Sequence, residues 1–258
     1  ATSSLSTSAF RSLSVTQLAK LTTDQVATLA TKQIAAIATD VVKSLTSAQI
    51  RALTTAQIDA FTTAAITQLS AEQIAAFSTN QLAGFSTNDI NALTNTQFKA
   101  MTTAQFSNLS TSQIRAISTN NMVVMETADL RALNTAEIAA LTSGQWNALS
   151  DSQISALSTT QVSSIEGTAL GQISPVVFKK LNTAQIGALS TSQIEALTAN
   201  QVVELTSAQF AAMSSSQLRA IETRDVTSIT TGALKGLTPS KIIALTTEQV
   251  ASLSAEQA

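Results

Sequence analysis

The sequence predicts an all-α fold, a solenoid or superhelix of very short helices with one helix for each eight-residue repeat. Three observations carry that expectation. The chain repeats with a period of eight from Leu5 onward without insertion or deletion, two positions of every repeat are apolar, and the polar positions between them carry helix-starting chemistry. Thirty-one complete octads fit, followed by the partial repeat 253-258, so residues 1-258 read as one repeat solenoid. A fixed short period outranks any domain count drawn from length, because repeat arrays have no fixed domain size.

The consensus is L-[ST]-[ST]-x-Q-[IV]-x-A, as in Leu45 to Ala52 and Leu53 to Ala60. Numbering these positions 1 to 8, all eight Phe, all four Met and Trp146 fall on position 1 or 6, and no charged residue occupies either. These two positions form the expected core. A continuous α-helix cannot use the pattern, because eight residues at about 100° each overshoot two turns by about 80° and wind the apolar stripe around the axis. A strand fails as well, since apolar spacings of five and three break the period of two. The backbone must therefore restart in each octad.

Capping chemistry shows where it restarts. The Ser or Thr at position 2 and the Gln at position 5 form a capping box, and the apolar positions 1 and 6 flank it as a hydrophobic staple. Leu53, Thr54, Gln57 and Ile58 show all four parts. Both prolines, Pro175 and Pro239, stand at position 3, the first helical residue, where a missing N–H is harmless. Acidic residues such as Asp24, Asp40, Glu72 and Glu248 lie at position 4 in the first turn. Nine of the 14 basic residues, Arg51 and Lys99 among them, lie at position 7 near the helix end, as the helix dipole favours. Each octad is expected to form a helix of about six residues, some 9 Å long.

One octad cannot stand alone, because two buried side chains stabilise it by less than ordering eight residues costs. Octads must stack, with the small residue at position 8 admitting the neighbouring backbone. Positions 2, 4, 5 and 7 are expected to point away from the apolar seam. Three stretches depart from the consensus: Ile117 to Ala132, Ile165 to Lys180 and Ile221 to Ala244. In them Glu126, Glu166 and Glu222, poor helix caps, replace the hydroxyl at position 2, and position 5 loses its Gln. They are expected to be bends, bulges or contacts between turns, with a docking spot for a subunit or ligand as the alternative. The last two begin 56 residues apart, seven octads, which hints at a longer structural period.

Composition narrows the function classes. The chain has no His, Cys or Tyr, only 12% charged residues and a formal charge of -2, so it lacks the basic face that nucleic acid requires. Without His or Cys there is no Ser-His dyad, thiol nucleophile or zinc-thiolate set. The charged groups Glu222, Arg224 and Asp225, and Glu126 with Asp129 and Arg131, are expected to be solvated surface clusters. No catalytic, cofactor-binding or metal-ligating residue is therefore assigned, no cofactor is expected, and neither calcium-repeat nor EF-hand spacing is present. No apolar stretch approaches the roughly 20 residues of a membrane span, and the opening ATSSLSTSAF lacks a basic and then apolar leader pattern.

Runs such as LTTAQIDAF and LSTSQIEAL resemble the TTAQIxAL-type repeats of large secreted or surface-attached proteins of Gram-negative bacteria, including adhesin-like and surface-layer-like chains. The resemblance spans essentially the whole chain. It implies an extracellular or cell-surface location and a structural role, and it transfers no individual functional residue. The expected function is thus a non-enzymatic scaffold, a self-assembling filament, sheath or surface-layer subunit or a rod-like spacer, with the protein itself and the cell surface as partners. The partial repeat LSAEQA, without a polar capping octad, fits end-to-end association. The alternative is an adhesin-type binding module or, further off, an ice-binding face of regularly spaced Thr. Against ice, those hydroxyls already serve as caps.

Overall fold

In a computed structural model of the chain, residues 6–257 are described. Leu5, the first position 1, and Ala258 lie outside them. The chain forms two compact units, Ala1–Leu133 and Asn134–Ala258, each built in the same way. Among the described residues there are 29 α-helices of four to six residues and no strand. The all-α repeat solenoid expected from the octads is the fold of each unit.

The helices start where the capping boxes place them. Thr54 Oγ1 accepts from Gln57 N at 3.2 Å, and Gln57 Oε1 accepts from Thr54 N at 2.8 Å, in front of the helix Thr55–Asp59. Pro175 and Pro239 are the first residues of Pro175–Phe178 and Pro239–Ile242. Two successive extended residues, such as Leu53 (φ -67°, ψ 140°) and Thr54 (φ -80°, ψ 160°), turn the chain from one helix into the next. No described residue has positive φ, so the glycine-type helix ending is not used. The helices are on average shorter than six residues because the last turn often tightens to i→i−3 bonds, such as Phe61 N to Ile58 O at 3.0 Å, while position 7 or 8 stays in the right-handed region, as at Ala60 (φ -78°, ψ -13°). Where Ala38 and Val41 remove both halves of the box, the octad keeps only the 3-10 segment Val42–Ser44.

Positions 1 and 6 are buried almost throughout both units, Phe98, Phe106, Trp146, Phe178 and Phe210 among them. In the irregular octads Glu126, Glu166 and Glu222 still precede helices although none of their side chains caps. Helices three octads apart pack together, as Thr183–Gly187 does on Ser207–Ala212. The position 8 backbone approaches closely across this contact. A Cβ on Gly84 would stand 2.5 Å from the Thr55 carbonyl oxygen, and one on Gly236 would collide with the Ser207 carbonyl.

Position 5 corrects the expectation that it points to solvent. Gln49, Gln57, Gln97, Gln185, Gln201 and Gln217 are all buried. The reason lies at the helix ends. A helix that stops without a left-handed residue leaves its last carbonyls without partners. Where position 5 is Gln, these carbonyls are taken by the Gln of the coil above. Gln49 Nε2 donates to Leu18 O at 3.0 Å and Leu21 O at 2.7 Å; Gln217 Nε2 donates to Ile186 O at 3.0 Å and Leu189 O at 2.8 Å. The second acceptor is 28 residues back, three and a half octads, which is the length of one coil. The 56-residue interval between irregular stretches equals two such coils.

Candidate functional site

The polar chemistry that the fold draws into its interior is concentrated at position 5. A Gln there caps the start of its own helix with Oε1 and the end of a helix one coil below with Nε2. Each neutral bond of this kind stabilises by about 0.5–1.5 kcal/mol net, and a buried partner left without one costs about 1–3 kcal/mol. Replacements at this position show how the same requirement is met or missed.

Lys241 replaces the amide with an ammonium that donates to the Ala211 carbonyl. Where Val177 cannot accept from Ser174 N, Asn147 Oδ1 of the coil below does so at 2.9 Å. Asn121, one methylene shorter than Gln, keeps the bond between coils, Nδ2 to Leu93 O at 2.9 Å, but its Oδ1 is buried without a partner. Four acids, Asp89, Asp129, Glu137 and Asp225, also occupy the position and are buried. Asp89 accepts from Ser86 N at 2.9 Å, from Ser86 Oγ at 2.7 Å and from Thr63 Oγ1 at 2.7 Å. Thr103 Oγ1 donates to Asp129 at 2.7 Å.

Burial raises the Asp129 carboxyl above its ordinary range; the Thr103 hydroxyl opposes this and Glu126 adds to it. Burial likewise raises Glu137 against its bonds from Asn134. Asp225 is raised by burial, opposed by Arg224 and reinforced by Glu222. The expectation of solvated clusters is therefore corrected for Asp129 and Asp225, because position 5 is interior. Glu222 and Arg224 pair with each other at the surface. On the exterior, Lys180 Nζ lies 2.9 Å from Asp151 and holds that carboxyl below its ordinary range.

No group of three or more His, Cys, Asp or Glu able to hold a metal ion occurs among the described residues. An open cleft of about 420 Å³ in the first unit is lined by Phe85, Ser86, Thr87, Asn108, Ser110 and Ser112, with no titratable group. In the second unit the position 6 side chain of Trp146 is buried and its Nε1–H has no partner. No helix of the described residues is long and apolar enough to cross a membrane. Sequence reading missed the interior role of position 5, although one signal was present. A capping box accepts Glu as readily as Gln, yet Glu fills position 5 only at Glu137, which marks a need for an N–H donor as well as an acceptor.

Comparison with known proteins agrees with the repeat. A search of curated proteins finds none that matches the chain. The ALTTAQ repeat family matches residues 34–71, 69–103, 122–159, 178–207 and 218–255, more than half of the sequence. Those segments contain the box of Thr54 and Gln57 and the coil-to-coil bonds of Gln81 and Gln249. With its octads, capping boxes and inter-coil amides in register, the chain belongs to the ALTTAQ repeat family.

Proposed function

We propose that the protein is an extracellular structural scaffold, a self-assembling filament, sheath or surface-layer subunit or a rod-like spacer, whose partners are further copies of itself and the cell surface. The observation that carries this reading is the sameness of the coil-to-coil contact. Gln57 bridges to Val26 and Leu29 as Gln249 bridges to Leu218 and Ile221. A coil of one copy offers another copy the surface that coils of one chain offer each other. Low charge reduces repulsion between copies. Contacts of this head-to-tail kind do not close, so they lead to fibres or layers. The extracellular setting is supported by the repeat type.

Light scattering across a concentration series, with and without EDTA, combined with electron microscopy, tests the proposal. Assembly that grows with concentration and ignores the chelator is expected. A monomer at every concentration overturns self-assembly, and loss of assembly with EDTA overturns its metal-free character.

A second reading, an adhesin-type binding module, is favoured by the cleft lined by Ser86, Thr87, Asn108, Ser110 and Ser112, whose neutral hydroxyls and amide suit a hydroxylated ligand. Titration with a panel of glycans, with Asn108→Ala as the control, separates it from the scaffold.

A further inference from the structure

We infer that Asp225 is a proton-operated fastener between coils: its protonated carboxyl donates to the Leu197 carbonyl oxygen and tightens the stack, and its ionised form loosens it. The inference is independent of the scaffold reading and rests on the register of position 5.

In the second unit, amides at this position reach the carbonyl 28 residues earlier. Gln201 reaches Ile173 O at 2.9 Å, Gln209 reaches Leu181 O at 2.7 Å and Gln249 reaches Ile221 O at 2.7 Å. At Asp225 the corresponding oxygen belongs to Leu197, which is buried and accepts no hydrogen bond among the described residues. Asp225 is 5% exposed, and by register it occupies the place of the amide that would donate to that oxygen, yet as a carboxylate it has no hydrogen to donate.

Reach is not the obstacle. Asn121 has the same side-chain length, occupies the same position, and its Nδ2 reaches Leu93 O, 28 residues back, at 2.9 Å. A proton on Asp225 therefore restores the donor that Asn121 supplies by chemistry. The hydroxyl that relieves Asp129 is absent here: Thr103 stands 26 residues before Asp129, whereas the residue 26 before Asp225 is Ala199.

The charged surroundings are few. Asp225 shares its helix Thr223–Val226 with Arg224, whose Nε lies 3.9 Å away and is largely solvated, and follows the N-cap Glu222. Of the helices packed against it, Ala199–Val203 carries no charge and Thr247–Ser252 carries only Glu248. Glu204, just beyond the first, pairs with Lys179. Burial, partly offset by Arg224 and reinforced by Glu222, raises the carboxyl, in the direction the fastener needs. A folded-state value above the unfolded one gives stabilisation that is complete below the unfolded value and is lost as pH rises through the folded value. Acid therefore tightens this contact and neutral pH loosens it.

The test compares the whole chain with Asp225→Asn, a permanent donor of the same size, in thermal melts from about pH 7.5 to about pH 3.5. At the neutral end the variant should melt about 2–4 °C higher, the difference closing as the parent chain is protonated. Carbon-detected NMR of the parent should place the Asp225 titration above the ordinary carboxylate range. Parallel melting profiles overturn the fastener, and so does an Asp225 midpoint at or below that range, whether or not the variant folds.

Discussion

Gln201 Nε2 donates to Ile173 O at 2.9 Å while its Oε1 accepts from Thr198 N at 2.9 Å, so one wholly buried amide joins the end of one helix to the start of another. Gln17 is exposed and makes only the cap, receiving Ser14 N at 2.8 Å. The two residues separate the contributions of capping and stacking. Gln201→Ala should destabilise its unit by about 2–4 kcal/mol, because the cap is lost and carbonyls of the lower coil are left buried and unpaired. Gln17→Ala should cost about 0.5–1 kcal/mol. Chemical denaturation of both variants measures the difference, and equal losses would show that the inter-coil bonds contribute nothing.

Asn121 is the converse case. Its amide reaches Leu93, but the side chain is too short to accept from Ser118 N as well, and its Oδ1 is buried without a partner. Asn121→Gln should restore both bonds, as at Gln113 in the preceding octad, and stabilise the unit by about 1 kcal/mol. A melting temperature at or below that of the parent would mean that the added methylene does not fit.

The pair of Thr103 and Asp129 supplies a rule that Asp225 lacks. A hydroxyl 26 residues before a position 5 Asp can donate to it, as it does at 2.7 Å both here and between Thr63 and Asp89. Thr103→Val should push the Asp129 carboxyl higher and cost about 1 kcal/mol at neutral pH, less in acid where the carboxyl is already protonated. Ala199→Thr should act oppositely on Asp225 and lower its carboxyl. Residue-resolved NMR titrations of both variants check the two signs.

Much of this architecture is legible in the sequence because the octad states it locally. Thr54 with Gln57 announces a helix start, Pro175 marks a first helical residue, and Leu53 with Ile58 marks the inside. The coil length is not legible, since eight residues fix each helix but not how many fit around a turn; only the 28-residue bonds of residues such as Gln49 set it. The interior acids were read as solvated because a single helix leaves Asp225 beside Arg224 on an apparently polar side. That side is covered only when another coil lies across it. Chemistry that depends on a partner 28 residues away has no trace within one octad.

Close approach at position 8 gives glycine substitutions opposite signs. Gly84→Ala places a Cβ 2.5 Å from the Thr55 carbonyl and against Ile58, so the coils must part and stability should fall by about 1–3 kcal/mol. Gly232 lies in the helix Thr231–Leu234, where a Cβ meets nothing nearer than Thr230 Oγ1 at 4.0 Å. Gly232→Ala should stabilise by about 0.5–1 kcal/mol through helix propensity and a less flexible unfolded chain. Thermal melts of the two variants should move in opposite directions.

The inside and outside of the octad are tested most directly at Ile154 and Glu195. Ile154 is a position 6 residue 1% exposed, in contact with the same apolar interior as Trp146 and Phe178. Ile154→Asp puts a carboxylate where no position 5 amide or position 3 hydroxyl can reach it, and an unpaired buried charge costs several kcal/mol. Because each coil is held by the coils above and below, the loss should spread beyond one octad and unfold neighbouring coils. Glu195, at position 7, is exposed, and Glu195→Ala should change stability by no more than about 0.5 kcal/mol. Hydrogen exchange reads both the depth and the reach of each change. Protection lost over several coils for Ile154→Asp and unchanged for Glu195→Ala is the expected result, while similar losses for the two would show that the faces of the octad are assigned wrongly.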